Sequence, residues 1–445
     1  MPGAPSSSWR LFWARVKGKF EGADLRVCIA FWLFGLVNNI LYVIILSAAL
    51  DLVGPSIPKA TVLLASIIPG LATKVVVPYF IHLIPYSLRI IAFATLSTCG
   101  MLTVALSPST TSASSITAKV AGIVLANISS GAGEVNFLSL TQFYGTFSLA
   151  AWGSGTGGAG LIGAGAYALA TTELGISVHA TLLTSALLPL IMLVSFFALL
   201  PRGPLRAARK HEQAYHHIEP DEDPAEDDGG ETAGLLDQPD RLSNSSAFST
   251  QPQSWLQTTL QELKLKLLRA RTLIIPYMFP LFLVYFAEYT INQGVAPTLL
   301  FPLASTPLKH YRAFYPTYSA LYQLGVFISR SSLALFRVRS LYVPSFLQVA
   351  NLVVLTIQAL WPFMPNVYFV FAIVLWEGLL GGLVYVSTYA AVREEVAEED
   401  REFSLGAVAV SDSAGICLAG FLGVGMESAL CSWQVGHGRD WCRQL

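Results

Sequence analysis

The sequence predicts an all-α, polytopic membrane protein, and three observations carry that reading. Charged residues make up 12% of the chain and hydrophobic residues 53%, against roughly 25% charged in ordinary soluble domains. Mean hydropathy is +0.56. Apolar runs of about 20 residues, the length that spans a bilayer, recur from one end of the 445 residues to the other. This excludes an ordinary soluble enzyme, and a formal net charge of −1 argues against a nucleic-acid partner.

The runs place transmembrane helices at 27–50, 60–82, 87–107, 117–140, 153–172, 178–200, 273–294, 313–334, 342–361, 367–391 and 404–428, about eleven in all. Pro69 and Pro78 in the second, and Pro276 and Pro280 in the seventh, imply kinks rather than breaks, which helix bundles tolerate. Lysine and arginine placement gives the orientation. The arm 1–26 carries Arg10, Arg15, Lys17, Lys19 and Arg26; the loop 201–272 is flanked by Arg202, Arg206, Arg209 and Lys210, then by Lys264, Lys266, Arg269 and Arg271. Six passes separate these basic regions, so both are expected in the cytosol, and an eleven-pass chain puts its C-terminus in the lumen.

The expected organisation is therefore a basic arm (1–26), a six-helix bundle (27–200), a cytosolic loop (201–272), a second bundle (273–428) and a tail (429–445). Acidic residues cluster between Asp221 and Asp228 and a Ser/Gln/Pro tract follows, so no core is expected in that loop. Within it Glu231-Thr-Ala-Gly-Leu235-Leu236 has the acidic-dileucine pattern read by clathrin adaptors, a partner that needs an extended, accessible address. The stretch from Trp255 to Arg271 is apolar on one face and basic on the other, the pattern of a helix lying in the membrane surface. The run from Glu394 to Glu402 reads as a solvated interhelical loop. Five cysteines (Cys28, Cys99, Cys417, Cys431 and Cys442) have neither CxxC nor Cys/His spacing, so neither a disulfide nor a metal site is expected. No P-loop, GxSxG or HExxH is present; no cofactor and no enzyme chemistry are expected.

A weak repeat links the two bundles. Ser154-Gly-Thr-Gly-Gly158-Ala-Gly-Leu161-Ile-Gly163 aligns with Ser411-Asp-Ser-Ala-Gly415-Ile-Cys-Leu418-Ala-Gly420, matching the fifth helix with the eleventh. A similar offset sets Asn38, Asn39 and Tyr42 of the first helix against Glu288, Tyr289 and Asn292 of the seventh, and Gly131 against Gly381. Two parallel halves joined by a long loop is the arrangement of major-facilitator transporters. Gly155, Gly157, Gly158 and Gly415 are expected to let helix backbones approach closely.

Acids inside the predicted spans are Glu134, Glu288, Glu377 and Asp412; the bases are Lys74 and Arg330. A charge in the hydrocarbon is costly unless it faces a partner or a wet cavity. Glu134 and Glu288 lie deepest in their apolar runs and are the leading candidates for a solute or proton pathway, followed by Asp412, with Lys74 and Arg330 as counter-charges. Arg330 and Glu377, nearer the ends, are open to the alternative of snorkelling to the headgroups. Asn38, Asn39 and Asn292 are candidate hydrogen-bonders in the same cavity, or interhelical glue.

The blocks LFGLVNNILYVIILSAALD (33–51), SSGAGEVNFLSLTQFY (129–144), WGSGTGGAG (152–160), VYFAEYTINQG (284–294), YQLGVFISRSSL (322–333), EGLLGGLVYV (377–386) and DREFSLGAVAVSDSAGICLAG (400–420) together resemble the battenin family of lysosomal membrane proteins and their fungal vacuolar counterparts. The resemblance implies a major-facilitator-like protein of the vacuolar membrane, tied to vacuolar pH homeostasis and, in fungi, to basic amino-acid transport; animal members imply glycerophosphodiester export. It also implies that Glu288, Arg330 and Asp412 are positions where alteration impairs function. The functional expectation is a carrier of a small polar solute, with arginine and protons as favoured cargo. The rival expectation is a membrane scaffold that transports nothing.

Overall fold

Helix dominates because a backbone in hydrocarbon has no water to satisfy its N–H and C=O groups. The computed structural model describes residues 22–48, 52, 59–108, 113–207 and 255–444, and no strand occurs among them. The first half contains α1 (Leu25–Ser47), α2 (Lys59–Phe80), α3 (Tyr86–Leu106), α4 (Ala113–Leu140), α5 (Thr146–Ala168), α6 (Val178–Ser185) and α7 (Pro189–Val194). The second contains α8 (Trp255–Leu273), α9 (Phe279–Thr290), α10 (Phe314–Ser331), α11 (Tyr342–Leu360), α12 (Val367–Glu395), α13 (Glu398–Val408) and α14 (Val410–Gly436). Of the segment 202–267, the described residues 255–267 begin α8.

Every predicted span is matched by helix. Nine helical stretches among the described residues are long and apolar enough to cross a membrane. α5 and α10 have the length but dilute their apolarity with glycine, serine and tyrosine. Large apolar side chains such as Ile275, Val343, Phe346, Phe369 and Phe421 are more than half exposed, a surface that suits lipid rather than water. The prolines do not break their helices: Pro69 and Pro78 sit inside α2, and a π-helical turn at Ile274–Met278 takes up Pro276, as such bulges commonly do.

The two halves repeat one packing scheme. α1 packs on α5 as α9 packs on α14; α2 packs on α4 as α10 packs on α12; and α2 meets α14 across the halves as α10 meets α5. Each half also has its own apolar core, one around Ile45, Met101 and Ile123 and the other around Phe314, Tyr318 and Leu355. Glycine sets how closely the helices approach. A Cβ on Gly155 would strike the Trp32 carbonyl oxygen and Leu36 nitrogen of α1. One on Gly415 would lie 2.7 Å from the Phe282 carbonyl oxygen and 3.0 Å from the Phe286 nitrogen of α9. Gly157 and Gly158 instead face Phe327 of α10. The structural counterpart of Gly415 is thus Gly155, not Gly158. The sequence alignment is displaced by nearly one helical turn, because glycine-rich helices offer several equivalent registers.

Two sequence expectations are corrected. The Glu394–Glu402 run is largely exposed, as expected, but mostly helical rather than a loop: α12 runs through Glu395 and α13 starts at Glu398, with Glu398, Glu399 and Asp400 in its first turn, where acids suit the helix dipole. Cys431 and Cys442 form a disulfide, because Cys442 folds back beneath the end of α14; a spacing of eleven carries no signature. Glu231, Leu235 and Leu236 lie outside the described residues.

Gly155→Val is expected to lower stability by about 1–3 kcal/mol, the usual cost of overpacking, read as a lower Tm of the detergent-solubilised protein. Gly165→Ala, which would meet nothing within 4 Å, is expected to stay within about 0.5 kcal/mol of the parent.

Candidate functional site

Lys74 reaches from the middle of α2 to the meeting line of the two halves. Its Nζ lies 2.6 Å from Glu134 Oε2 of α4 and 3.0 Å from Asp412 Oδ1 of α14. All three residues are buried, at 4%, 8% and 4% exposure, so their charges survive only because they compensate one another. Asp412 Oδ1 also accepts from the Ser413 backbone N–H and hydroxyl, contacts available because Asp412 opens α14. Glu134 Oε1 accepts from the Tyr385 hydroxyl of α12 at 3.0 Å, and Trp152 Nε1 of α5 donates to that hydroxyl at 3.2 Å.

Arg330, near the end of α10, turns inward. It donates to Thr156 Oγ1 at 2.8 Å and Tyr285 Oη at 2.6 Å, and its guanidinium carbon stands 4.1 Å above the Tyr385 ring, a cation–π contact. No carboxylate among the described residues lies within 4.0 Å of it, and its Nε has no partner. The snorkelling alternative fails here, because burial of the α10 face by α5 and α12 leaves the chain no route to the headgroups.

These groups surround a cavity of about 100 Å³ between the halves, lined by Lys74, Glu134 and Asp412 together with Tyr42, Tyr289 and Asn39. Arg330, Tyr285 and Tyr385 complete its wall. The cavity therefore holds two acids and two bases, with only Arg330 free of an ionic partner.

Glu288 and Asn292 do not line this cavity. Glu288 accepts from the Tyr322 hydroxyl on α10. Asn292 donates to Glu377 Oε1 at 3.2 Å and to the Glu288 carbonyl oxygen at 3.1 Å. Glu288 and Glu377 are 1% and 0% exposed; neither is ion-paired among the described residues, and each keeps one buried oxygen without a partner. Glu377 is thus no snorkelling end residue but lies mid-helix against α9, because α12 begins ten residues before it. Asn38 is helix glue: its Nδ2 donates to the Ser130 carbonyl oxygen, and the Ser130 hydroxyl donates to the Asn38 carbonyl oxygen. Asn39 lines the cavity while bonded to the Gly35 carbonyl oxygen.

A second polar network closes one end of the helices. Glu402 of α13 accepts from the Tyr86 hydroxyl and Gln142 Nε2 and pairs with Arg89 Nη1 at 3.5 Å, while the Ser139 hydroxyl donates to its carbonyl oxygen. Arg89 also donates to Asn136 Oδ1. Sequence reasoning missed Tyr285, Tyr322, Tyr385, Arg89 and Glu402. Tyrosine inside an apolar run reads as core, and only the carboxylates and the arginine that these tyrosines touch give them meaning.

The fold and the buried ionic site between its halves define a class: a multi-pass membrane protein of major-facilitator architecture. The chain aligns with the proton:xylose symporter XylE with a TM-score of 0.54 at 11% identity, covering 94% of this chain and 91% of that one. It aligns with the human organic anion transporter MFSD10 with a TM-score of 0.51 at 13% identity, covering 94% and 95%. At such identities the likeness concerns the fold. Residues 29–433 match the CLN3 protein family. Protein btn1 of Aspergillus fumigatus is 59% identical over all of this chain and 97% of its own length, and protein btn-1 of Neurospora crassa is 55% identical over the same shares. The chain belongs to the CLN3, or battenin, family.

Lys74→Met is expected to destabilise the protein by about 3–5 kcal/mol, because it leaves two buried carboxylates unpaired. Adding Glu134→Gln and Asp412→Asn should restore much of that loss. Thermal unfolding in detergent of the single and triple variants checks both expectations.

Proposed function

We propose that this protein carries a small polar solute across the vacuolar membrane by alternating access, with basic amino acids such as arginine as favoured cargo. The observation that carries the reading is the charge layout of the central cavity. Glu134 and Asp412 stand around a displaceable ammonium, and Arg330 stands at the wall without a carboxylate. An amino acid brings both complementary groups: its cationic side chain competes with Lys74 for the acids, and its α-carboxylate pairs with Arg330. At about 100 Å³ the cavity is below the usual range for ligand pockets, about 300–1,000 Å³. Binding then requires the halves to rock apart, and competition for the Lys74 bridge supplies the trigger. Glu288 and Glu377, buried without an ion pair among the described residues, are the groups suited to carry coupled protons.

The unpaired Arg330 also favours a second reading, a glycerophosphodiester whose phosphate would take the guanidinium. For orientation, the face bearing Arg269, Arg337, Arg393 and Arg401 suits the cytosol by the positive-inside rule. The Cys431–Cys442 disulfide, at the opposite end of α14, suits the oxidising lumen. Delivery to the vacuole would use Glu231, Leu235 and Leu236 through clathrin adaptors.

Purified protein in liposomes tests the transport reading. Labelled arginine should enter saturably under an imposed pH gradient, and Asp412→Asn should raise the half-saturating concentration about tenfold or more, the equivalent of at least 1.4 kcal/mol. Glu288→Gln with Glu377→Gln should abolish the response to the gradient while arginine–arginine exchange persists. Flux of a glycerophosphodiester but not arginine would select the second reading, and flux of neither would leave a non-transporting scaffold. In cells, Leu235→Ala with Leu236→Ala should move the fluorescently tagged protein from the vacuolar rim to the cell surface; unchanged rim fluorescence would eliminate the sorting role.

A further inference from the structure

Two opposite charges line the central cavity without pairing. Arg330 and Glu134 both belong to its wall, yet no contact within 4.0 Å joins them. A buried guanidinium and a buried carboxylate in one cavity are expected to meet, because each is costly alone and the pair is strong and often bidentate. The residue that touches both is Tyr385 of α12. We propose that Tyr385 is a positioning residue that keeps Arg330 off Glu134, so that the cavity retains separate poles for an anionic and a cationic group. In the carrier reading above, on which this role rests, an amino acid needs both poles at once.

The buried Tyr385 hydroxyl donates to Glu134 Oε1 at 3.0 Å, while Lys74 holds Oε2 at 2.6 Å. Each oxygen of that carboxylate therefore already has a donor. The direction of the hydroxyl is fixed as well. Trp152 Nε1 lies 3.2 Å from the phenolic oxygen and can only donate, so the oxygen accepts there and its proton goes to Glu134. The face of the same ring carries the Arg330 guanidinium carbon at 4.1 Å. The Tyr389 ring meets it edge-on at 67°, with centroids 4.8 Å apart, and holds the ring plane.

The stem of Arg330 passes between bare backbones. A Cβ on Gly157 of α5 would stand 3.2 Å from the Arg330 Cβ, and one on Gly382 of α12 would stand 3.1 Å from its Cγ. The head ends on neutral groups, the Thr156 and Tyr285 oxygens and the Tyr385 ring, and its buried Nε has no partner. A ring face holds a guanidinium more weakly than a carboxylate does, so Arg330 stays open to a better anion. The same guard recurs at the other acid whose charge reaches Arg330: Glu288 accepts from the Tyr322 hydroxyl.

The test reads stability alone, so it is decided separately from any measurement of transport. The Tm lost on Lys74→Met is measured for full-length protein in neutral detergent, in the parent and in Tyr385→Phe, Tyr385→Ala and Tyr385→Ala/Arg330→Met backgrounds. If Tyr385 only fills space, Lys74→Met costs as much or more once the ring is gone. If it holds Arg330 away, Tyr385→Ala lets Arg330 replace Lys74 beside Glu134, and the loss should shrink to about half or less. Tyr385→Phe keeps the ring and should keep the loss in full, and Arg330→Met should bring the loss back. Tyr385→Leu, which leaves less of a void, should give the same rescue and decides the matter if the alanine variant does not fold. A Lys74→Met protein that can be purified only once Tyr385 is removed shows that rescue too. No loss from Lys74→Met in the parent, an undiminished loss in the alanine and leucine backgrounds, an equal rescue by Tyr385→Phe, or a rescue that survives Arg330→Met would overturn the proposal.

Discussion

Everything central to this structure depends on one ammonium group shared between two halves of a membrane bundle. Lys74 and Glu134 belong to the first half and would neutralise each other without help. Asp412 belongs to the second half, and Lys74 is its cation. Moving the halves apart strips Asp412 of that partner in a setting where an unpaired charge is expensive. The closed arrangement is therefore held by electrostatics that a second cation can satisfy equally well. In the proposed alternating-access reading, that competition is what would couple solute arrival to motion.

Glycine sets the packing of the helices around the bridge, both within the halves and between them. Within each half, glycine draws backbones into contact: Gly155 against Trp32, Gly131 against Gly70, and Gly378 against Tyr322. These contacts lie inside one half and can travel as rigid units. Between the halves, Gly157 and Gly158 lie against Phe327, and Gly153 and Gly160 make room for the Val386 and Gln323 side chains of the second half. At the Arg-rich end, Glu402 ties α13 to α3 and α4 through Tyr86, Arg89 and Gln142. That face is shut by polar contacts, which break and reform more readily in water than in lipid.

Much of this was legible in the sequence because a bilayer leaves few options. Apolar runs marked the helices, and the rarity of charge marked Lys74, Glu134, Glu288 and Asp412 as residues needing partners. The sequence could not show which charge meets which. Glu134 and Glu288 look alike in their helices, yet one lines the cavity and the other faces Tyr322 and the Glu377 side. Arg330 and Glu377 were open to snorkelling because a sequence gives position along a helix but not the direction a side chain faces; α12 starts at Val367 as expected, and only packing shows Arg330 turned toward Thr156 and Tyr285 and Glu377 bonded to Asn292. The repeat was visible but slipped by nearly a turn, since glycines at neighbouring positions score alike while only one fits against α1. The Cys431–Cys442 bond and the helical start of α13 were invisible because both depend on where the chain folds back.

The most direct test of the central claim is a distance across the halves on the Arg-rich face, read by pulsed electron resonance between spin labels at Leu83 and Phe336 in reconstituted protein. If the Lys74 bridge fastens the halves and a cationic solute competes for it, the resting protein gives one short distance. Adding arginine, or replacing Lys74 with Met, then brings in a second, longer population. A single distance unchanged by arginine and by the substitution would contradict the account.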